Sequence, residues 1–110
     1  MTTTPFECTI HREDDTITVS PEGDIDLATT SLLREVLKQV VETHEGNRID
    51  IDMRAVTFLD SSGIGMLVAA QRAAAASGKR LMLREPGPIV RMVLQVTHLD
   101  DLLVSDLAHG

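Results

Sequence analysis

Asp60-Ser61-Ser62-Gly63 stands between the apolar stretch Val56-Thr57-Phe58-Leu59 and the apolar segment Ile64 to Ala76. Four small polar residues in that setting place two hydroxyls where a buried strand hands over to a helix. The first N–H groups of a helix lack intrahelical partners, and the helix start carries a partial positive charge. An anion there is stabilised by about 0.3–1 kcal/mol when exposed and up to about 2 kcal/mol when partly buried. A serine at this point can cap the helix or carry a phosphate, and Asp60 reads as an N-cap or as an acid that a kinase docks on.

Other chemistries fit less well. A nucleophilic serine at a strand-to-helix turn calls for Gly-x-Ser-x-Gly, which is absent here. The histidines His11, His44, His98 and His109 fall in the first hairpin, at a helix end, after the third helix and at the last residue but one. None is placed as a base, and all four read as surface or boundary residues. A phospho-aspartate at Asp60 would need an acidic pair on another strand end and a lysine near the last strand, whereas Lys79 begins a strand. Gly63-Ile64-Gly65 lacks the third glycine and the lysine of the phosphate loops. It reads as close helix-to-sheet packing, or as a slim helix start that lets another protein's active site reach the neighbouring serine. His and Asp show no metal-ligand spacing, so neither metal nor cofactor is expected.

Composition narrows the field further. A length of 110 residues suits one domain with a real core, here expected to span 1–110. Apolar residues make up 43%, with no Trp or Tyr and two Phe (Phe6 and Phe58), so the core must be aliphatic and methionine-filled. Met66, Met82 and Met92 read as core filler. Seventeen acidic against ten basic residues give a net charge of −7, which disfavours nucleic acid and anionic membranes and favours solubility or a basic protein partner. Cys8 is the only cysteine and reads as a buried structural thiol in a reducing compartment. Met1 to Pro5 has no basic patch followed by an apolar run, and no run of roughly eighteen apolar residues occurs, so a soluble cytoplasmic protein is expected.

The elements that must hold the two serines follow from periodicity. Phe6 to Arg12 and Thr16 to Val19 read as an antiparallel hairpin turning at Glu13-Asp14-Asp15. Leu33, Val36, Leu37, Val40 and Val41 form the stripe of an amphipathic helix that starts near Asp26 to Ser31 and stops at Gly46. Arg48 to Met53 alternates with period two, with Ile49, Ile51 and Met53 on one face, and runs on loosely toward Phe58. A second helix covers about Ser62 to Ala76, with Ile64, Leu67, Val68 and Gln71 on one side, and ends at Ser77-Gly78. Leu81 to Leu83 reads as a strand, Pro88 as the first residue of a helix carrying Ile89, Val93 and Val96, and Leu102-Leu103-Val104 as a closing strand. The order β-β-α-β-α-β-α-β points to an α/β domain: a mostly parallel sheet with an antiparallel N-terminal hairpin and covering helices.

Gly23-Asp24-Ile25-Asp26, followed by Asp52-Met53-x-x-Val56-x-Phe58-Leu59-Asp60-Ser61-Ser62-Gly63-Ile64-Gly65, resembles the STAS family, the anti-sigma factor antagonists, over about Phe6 to Val104. The resemblance implies that Ser61 is phosphorylated by a serine kinase that is also the anti-sigma factor, with a serine phosphatase to reverse it. It also implies that Asp24, Asp26, Asp60, Ser62, Gly63 and Gly65 belong to the partner-binding surface. On this reading the chain is no enzyme, and the unphosphorylated form frees a sigma factor by occupying its inhibitor. The alternative it leaves open is a STAS regulatory subunit of a larger assembly, a lipid-transport ABC complex or a stress-signalling scaffold. The family usually adds a C-terminal helix, whereas only Ser105 to Gly110 follow the last expected strand.

Overall fold

The computed structural model describes residues 7–97. Glu13-Asp14-Asp15 turns the chain as expected, with Asp14 at φ 55°, a left-handed conformation that Asp tolerates. Strand β1 (Glu7–Glu13) pairs antiparallel with β2 (Thr16–Ile25), from Glu13 opposite Thr16 to Glu7 opposite Glu22. Strand β2 therefore runs beyond Val19 and straight through Pro21. Proline is tolerated because it falls between the stretch of β2 that pairs with β3 (Arg48–Asp52) and the stretch that pairs with β4 (Val56–Leu59), where no parallel ladder asks for its N–H. A bulge at Gly23/Asp24, with Gly23 at φ 99°, redirects the strand end. Cys8 is half-buried, and burial pushes its thiol pKa up.

Helix α1 (Leu27–Thr43) buries Leu33, Leu37, Val40 and Val41, with Val36 packed beside them, as the stripe predicts. It stops at Thr43, short of Gly46, because His44 leaves in an extended conformation with its Nε2 3.2 Å from the Asp15 carbonyl oxygen. His44 is buried, which corrects its reading as a surface or boundary residue.

Strand β3 turns Ile49 and Ile51 to the core, and Met53 just beyond it is fully buried as well. On the opposite face Asp50 is buried between Arg48 Nε (2.9 Å) and Arg84 Nη1 (3.0 Å). The stretch toward Phe58 is a separate strand. The Asp52 carboxylate accepts from Arg54 N–H at 3.0 Å, and Val56 N–H bonds the Met53 carbonyl at 3.0 Å, which makes a tight turn. The chain then leaves the side of β3 and pairs as β4 with the far end of β2.

Helix α2 (Ser61–Ala76) ends with Ser77 as C-cap and Gly78 at φ 77°, the conformation a glycine supplies. Its buried residues are Gly63, Met66, Leu67 and Ala74. Leu67 is where the expected stripe put it, Ile64 packs at the edge of the core, and Val68 and Gln71 are only half-buried. Strand β5 (Arg80–Arg84) pairs parallel with β3. The sheet order is β1-β2-β3-β5, with β4 beside β2.

Helix α3 (Pro88–Val96) starts at Pro88 but buries Val90 and Leu94 against the β4 side of the domain. That corrects the expected face: Ile89 and Val96 are exposed, and only Val93 packs partly against the core. Met92 is exposed as well, so of the three methionines read as filler only Met66 is buried, with Met82 half-buried. The expected strand Leu102-Leu103-Val104 and the residues after it lie outside the described residues. Among the described residues the architecture is the one anticipated, a single α/β domain with a mixed, mostly parallel sheet, an antiparallel opening hairpin and three covering helices.

Candidate functional site

Strands β2 and β4 run parallel and finish side by side, Ile25 opposite Leu59, and Asp60 N–H bonds the Ile25 carbonyl at 3.2 Å. Two aspartates therefore leave adjacent strand ends, and each opens a helix. Asp26 Oδ1 accepts from Ala28 N–H (3.0 Å) and Thr29 N–H (3.1 Å), while Asp26 N–H bonds Thr29 Oγ1 at 2.9 Å, a closed capping box. Thr29 Oγ1 also donates to the Asp24 carbonyl at 2.8 Å.

At the second helix start, Asp60 Oδ1 accepts from Ser62 N–H (3.0 Å), Gly63 N–H (3.0 Å) and the Ser62 hydroxyl (2.6 Å). These bonds favour the charged carboxylate and hold its pKa below the usual value. The Ser62 hydroxyl contributes most and the Gly63 N–H next, desolvation opposes them, and the N–H groups of Ser62 and Leu27 add less.

The two serines now differ. Ser62 has committed its hydroxyl proton to Asp60, and its oxygen lies 3.4 Å from Thr30 Oγ1 on buried α1 surface, so it serves the joint between the helices. Ser61 is the first residue of α2, exposed, with no hydrogen bond from its hydroxyl among the described residues. Its oxygen is open to a phosphoryl donor, and the converging N–H groups would soften an anion placed on it.

The glycines differ too. A Cβ on Gly63 would sit 2.7 Å from Ile25 Cγ2 and 2.8 Å from Leu59 Cδ1, so this residue lets α2 approach the strand ends. A Cβ on Gly65 would meet nothing within 4 Å, so Gly65 faces open surface.

Asp24 is exposed beside this corner, its Oδ1 accepting from the Thr57 hydroxyl at 2.6 Å. The fold thus gathers Asp24, Asp26, Asp60, Ser61, Ser62 and Gly63 at the ends of β2 and β4, with Gly65 one turn along α2. Sequence reasoning missed Thr29, Thr30 and Thr57, which hold those residues in place. Only Thr29 left a signal, the three-residue spacing from Asp26 that a capping box uses. It also missed Leu27 (76% exposed) and Phe58 (46% exposed), large apolar side chains bracketing the corner. Among the described residues no histidine bonds either serine, and no group of three or more His, Cys, Asp or Glu could hold a metal. No helix among them is long and apolar enough to cross a membrane.

The family described as "Mlab, STAS domain" matches residues 8–105, and the chain belongs to that STAS domain family. An anti-sigma-B factor antagonist of Listeria monocytogenes is 28% identical over 92 residues, 84% of this chain and 80% of that protein. An anti-sigma factor antagonist from Mycobacterium paratuberculosis has a crystal structure that superposes with a TM-score of 0.81 at 26% identity, covering 94% of this chain and 89% of that one. The anti-sigma factor antagonist SpoIIAA in its unphosphorylated form shares the fold at a TM-score of 0.76 and 22% identity, covering 89% and 86%.

Proposed function

We propose that this protein is an anti-sigma factor antagonist whose partner is an anti-sigma factor with serine kinase activity, and that phosphorylation of Ser61 ends their association. The observation that carries the reading is the division of labour between the hydroxyls: Ser62 is tied to Asp60, and Ser61 is exposed and unengaged. The names of the relatives point the same way. Asp24, Asp26, Asp60 and Gly65, with exposed Leu27 and Phe58 around them, supply a docking face of mixed acid and apolar character.

In the step proposed, Ser61 Oγ forms a bond to the γ-phosphorus of kinase-bound ATP, and the bond from that phosphorus to the ADP oxygen breaks. The hydroxyl proton passes to a base of the kinase, whose Mg²⁺ balances the leaving charge. The product carries about −1.5 to −2 charges beside Asp60. Repulsion from Asp60 is partly offset by the helix start, so the net effect of about 1–2 kcal/mol leaves a domain of typical stability folded. An interface is less tolerant, because an unpaired buried ion costs several kcal/mol and every 1.4 kcal/mol is tenfold in affinity. The switch is therefore one of binding, reset by a serine phosphatase, in the cytoplasm where sigma factors act.

Mixing the protein with candidate kinases and ATP should give a phosphopeptide modified at Ser61 by mass spectrometry. Calorimetric titration should then show Ser61→Asp binding the kinase at least about a hundredfold more weakly than wild type, while Ser61→Ala binds and takes no phosphate. Equal affinity of wild type and Ser61→Asp would end this reading. Co-purification with a permease and an ATPase in place of a kinase would replace it with the subunit role in a larger assembly.

A further inference from the structure

On the outer side of the α1–α2 joint, away from Ser61, the two helices leave an open groove of about 210 Å³. Leu37, Val41 and Met66 form its floor, and Ala69, Ala70 and Ala73 form one wall. These alanines are small enough to keep the groove open, and the flexible Met66 thioether lets the floor adapt to an apolar guest.

The rim is cationic. Arg34 and Lys38 stand one turn apart on α1, both exposed, both lining the groove. Neither makes an ion pair within 4 Å among the described residues. One acidic residue, Glu42, lies a further turn along. In a chain of net charge −7 this is a local surplus of positive charge beside apolar surface. A ligand that matches it has an alkyl body and one anionic head. The volume is below the roughly 300–1,000 Å³ of sites for drug-sized molecules, so it admits a single chain and not a two-chain lipid.

We propose that the α1–α2 groove is a binding site for a single-chain amphiphilic carboxylate, a fatty-acid anion whose chain lies over Leu37, Val41 and Met66 and whose head meets Arg34 and Lys38. The site does not depend on Ser61 or on the kinase reading. Its elements also differ from the docking face: the groove lies between helix flanks, whereas Ser61 sits at the helix starts.

The test is a titration of the whole chain with decanoate, followed by the methyl signals of Ala69, Ala70 and Ala73 in NMR spectra, because the chain has no Trp or Tyr to report by fluorescence. Those methyls should shift saturably, and shortening the ligand to hexanoate should weaken binding by up to about fourfold per methylene removed. The double variant Arg34→Glu/Lys38→Glu should lose at least about tenfold in affinity. Ala69→Leu, at an exposed helix position where leucine is a good helix former, should block the groove and abolish binding with the melting temperature unchanged. Decanol or decylammonium binding as tightly as decanoate would overturn the proposal, as would unchanged binding by Ala69→Leu or an absence of shifts at millimolar decanoate. Self-association in sedimentation that Ala69→Leu removes would also overturn it, by making a second copy the occupant.

Discussion

Asp26 and Asp60 leave neighbouring strand ends, and each carboxylate accepts from the second and third N–H groups of the helix it opens: Ala28 and Thr29 in α1, Ser62 and Gly63 in α2. The two starts part at the third residue. Thr29 returns a bond to the Asp26 N–H and closes the box. Gly63 has no side chain to return, and the Asp60 N–H goes across to the Ile25 carbonyl. They part again at the first residue, Leu27 in one and Ser61 in the other. The first start is completed within its own turn, whereas the second is completed by pressing a bare glycine against β2 and β4. Two positions before that glycine Ser61 is left exposed, and the proposed switch would use the helix start that is not closed on itself.

The largest effect that can test this comparison comes from Gly63. Gly63→Ala places a methyl 2.7 Å from Ile25 Cγ2 and 3.3 Å from the Ile25 carbonyl oxygen, and the backbone cannot yield as a flexible side chain would. Overpacking of this kind costs about 1–3 kcal/mol, to be read from the urea midpoint at unchanged slope. Gly65→Ala two residues on meets open space and should stabilise the helix by about 0.5–1 kcal/mol. If both substitutions moved stability in the same direction, the close approach at Gly63 would not be what completes the second start.

How legible these features are in the sequence depends on how many faces an element could bury. Helix α1 has one stripe, from Leu33 to Val41, with charged residues elsewhere, so period and structure agree. Strand β3 alternates cleanly. Helix α3 is nine residues long, and Arg91 and Gln95 mark a polar side opposite Val93, so the period points to the Ile89-Val93-Val96 side. The structure instead buries the flank of that apolar arc, Val90 and Leu94, because tertiary packing against β4 overrides the period. Strand β4 was hidden for a similar reason. Alternation through Ile49, Ile51 and Met53 gives no sign that β2 bends at Gly23 and offers a second stretch of edge, which β4 takes after the Asp52–Arg54 turn. At the site, the sequence marks Asp60-Ser61-Ser62-Gly63 as a helix start but cannot assign the two hydroxyls. That assignment comes from which hydroxyl turns inward, Ser62 to the Asp60 carboxylate and toward Thr30, a residue 32 positions away in the chain.

A smaller effect is expected at Ser62. Ser62→Ala removes the hydroxyl that faces buried Thr30, at a cost of about 0.5–1.5 kcal/mol. The same change removes the foremost cause of the lowered Asp60 pKa, so the carboxyl should titrate closer to its ordinary value of 3.8 in an NMR pH series. Because the folded pKa is depressed, Asp60 contributes stability that is complete above the ordinary carboxylate range and lost as pH falls through the folded value. In Ser62→Ala that acid-side loss should be smaller and complete at higher pH than in wild type, because the unfolded carboxyl sets where it starts and only the folded value has moved. An unmoved Asp60 titration would mean that the backbone N–H groups alone set its charge, and the contrast between the serines would weaken.

The smallest stability effect belongs to the residue with the largest proposed role. Ser61 is exposed and makes no hydrogen bond through its hydroxyl among the described residues, and alanine suits a helix start's first turn at least as well. Ser61→Ala should therefore stay within about 0.5 kcal/mol of wild type, as surface substitutions away from structural bonds do. A structural cap cannot be removed that cheaply, since losing one costs about 0.5–2 kcal/mol. Unfolding measurements on Ser61→Ala and Ser62→Ala, side by side, thus separate a hydroxyl kept for the fold from one kept for a partner. A loss at Ser61 equal to that at Ser62 would make both serines parts of the joint and leave the exposed oxygen without its assigned task.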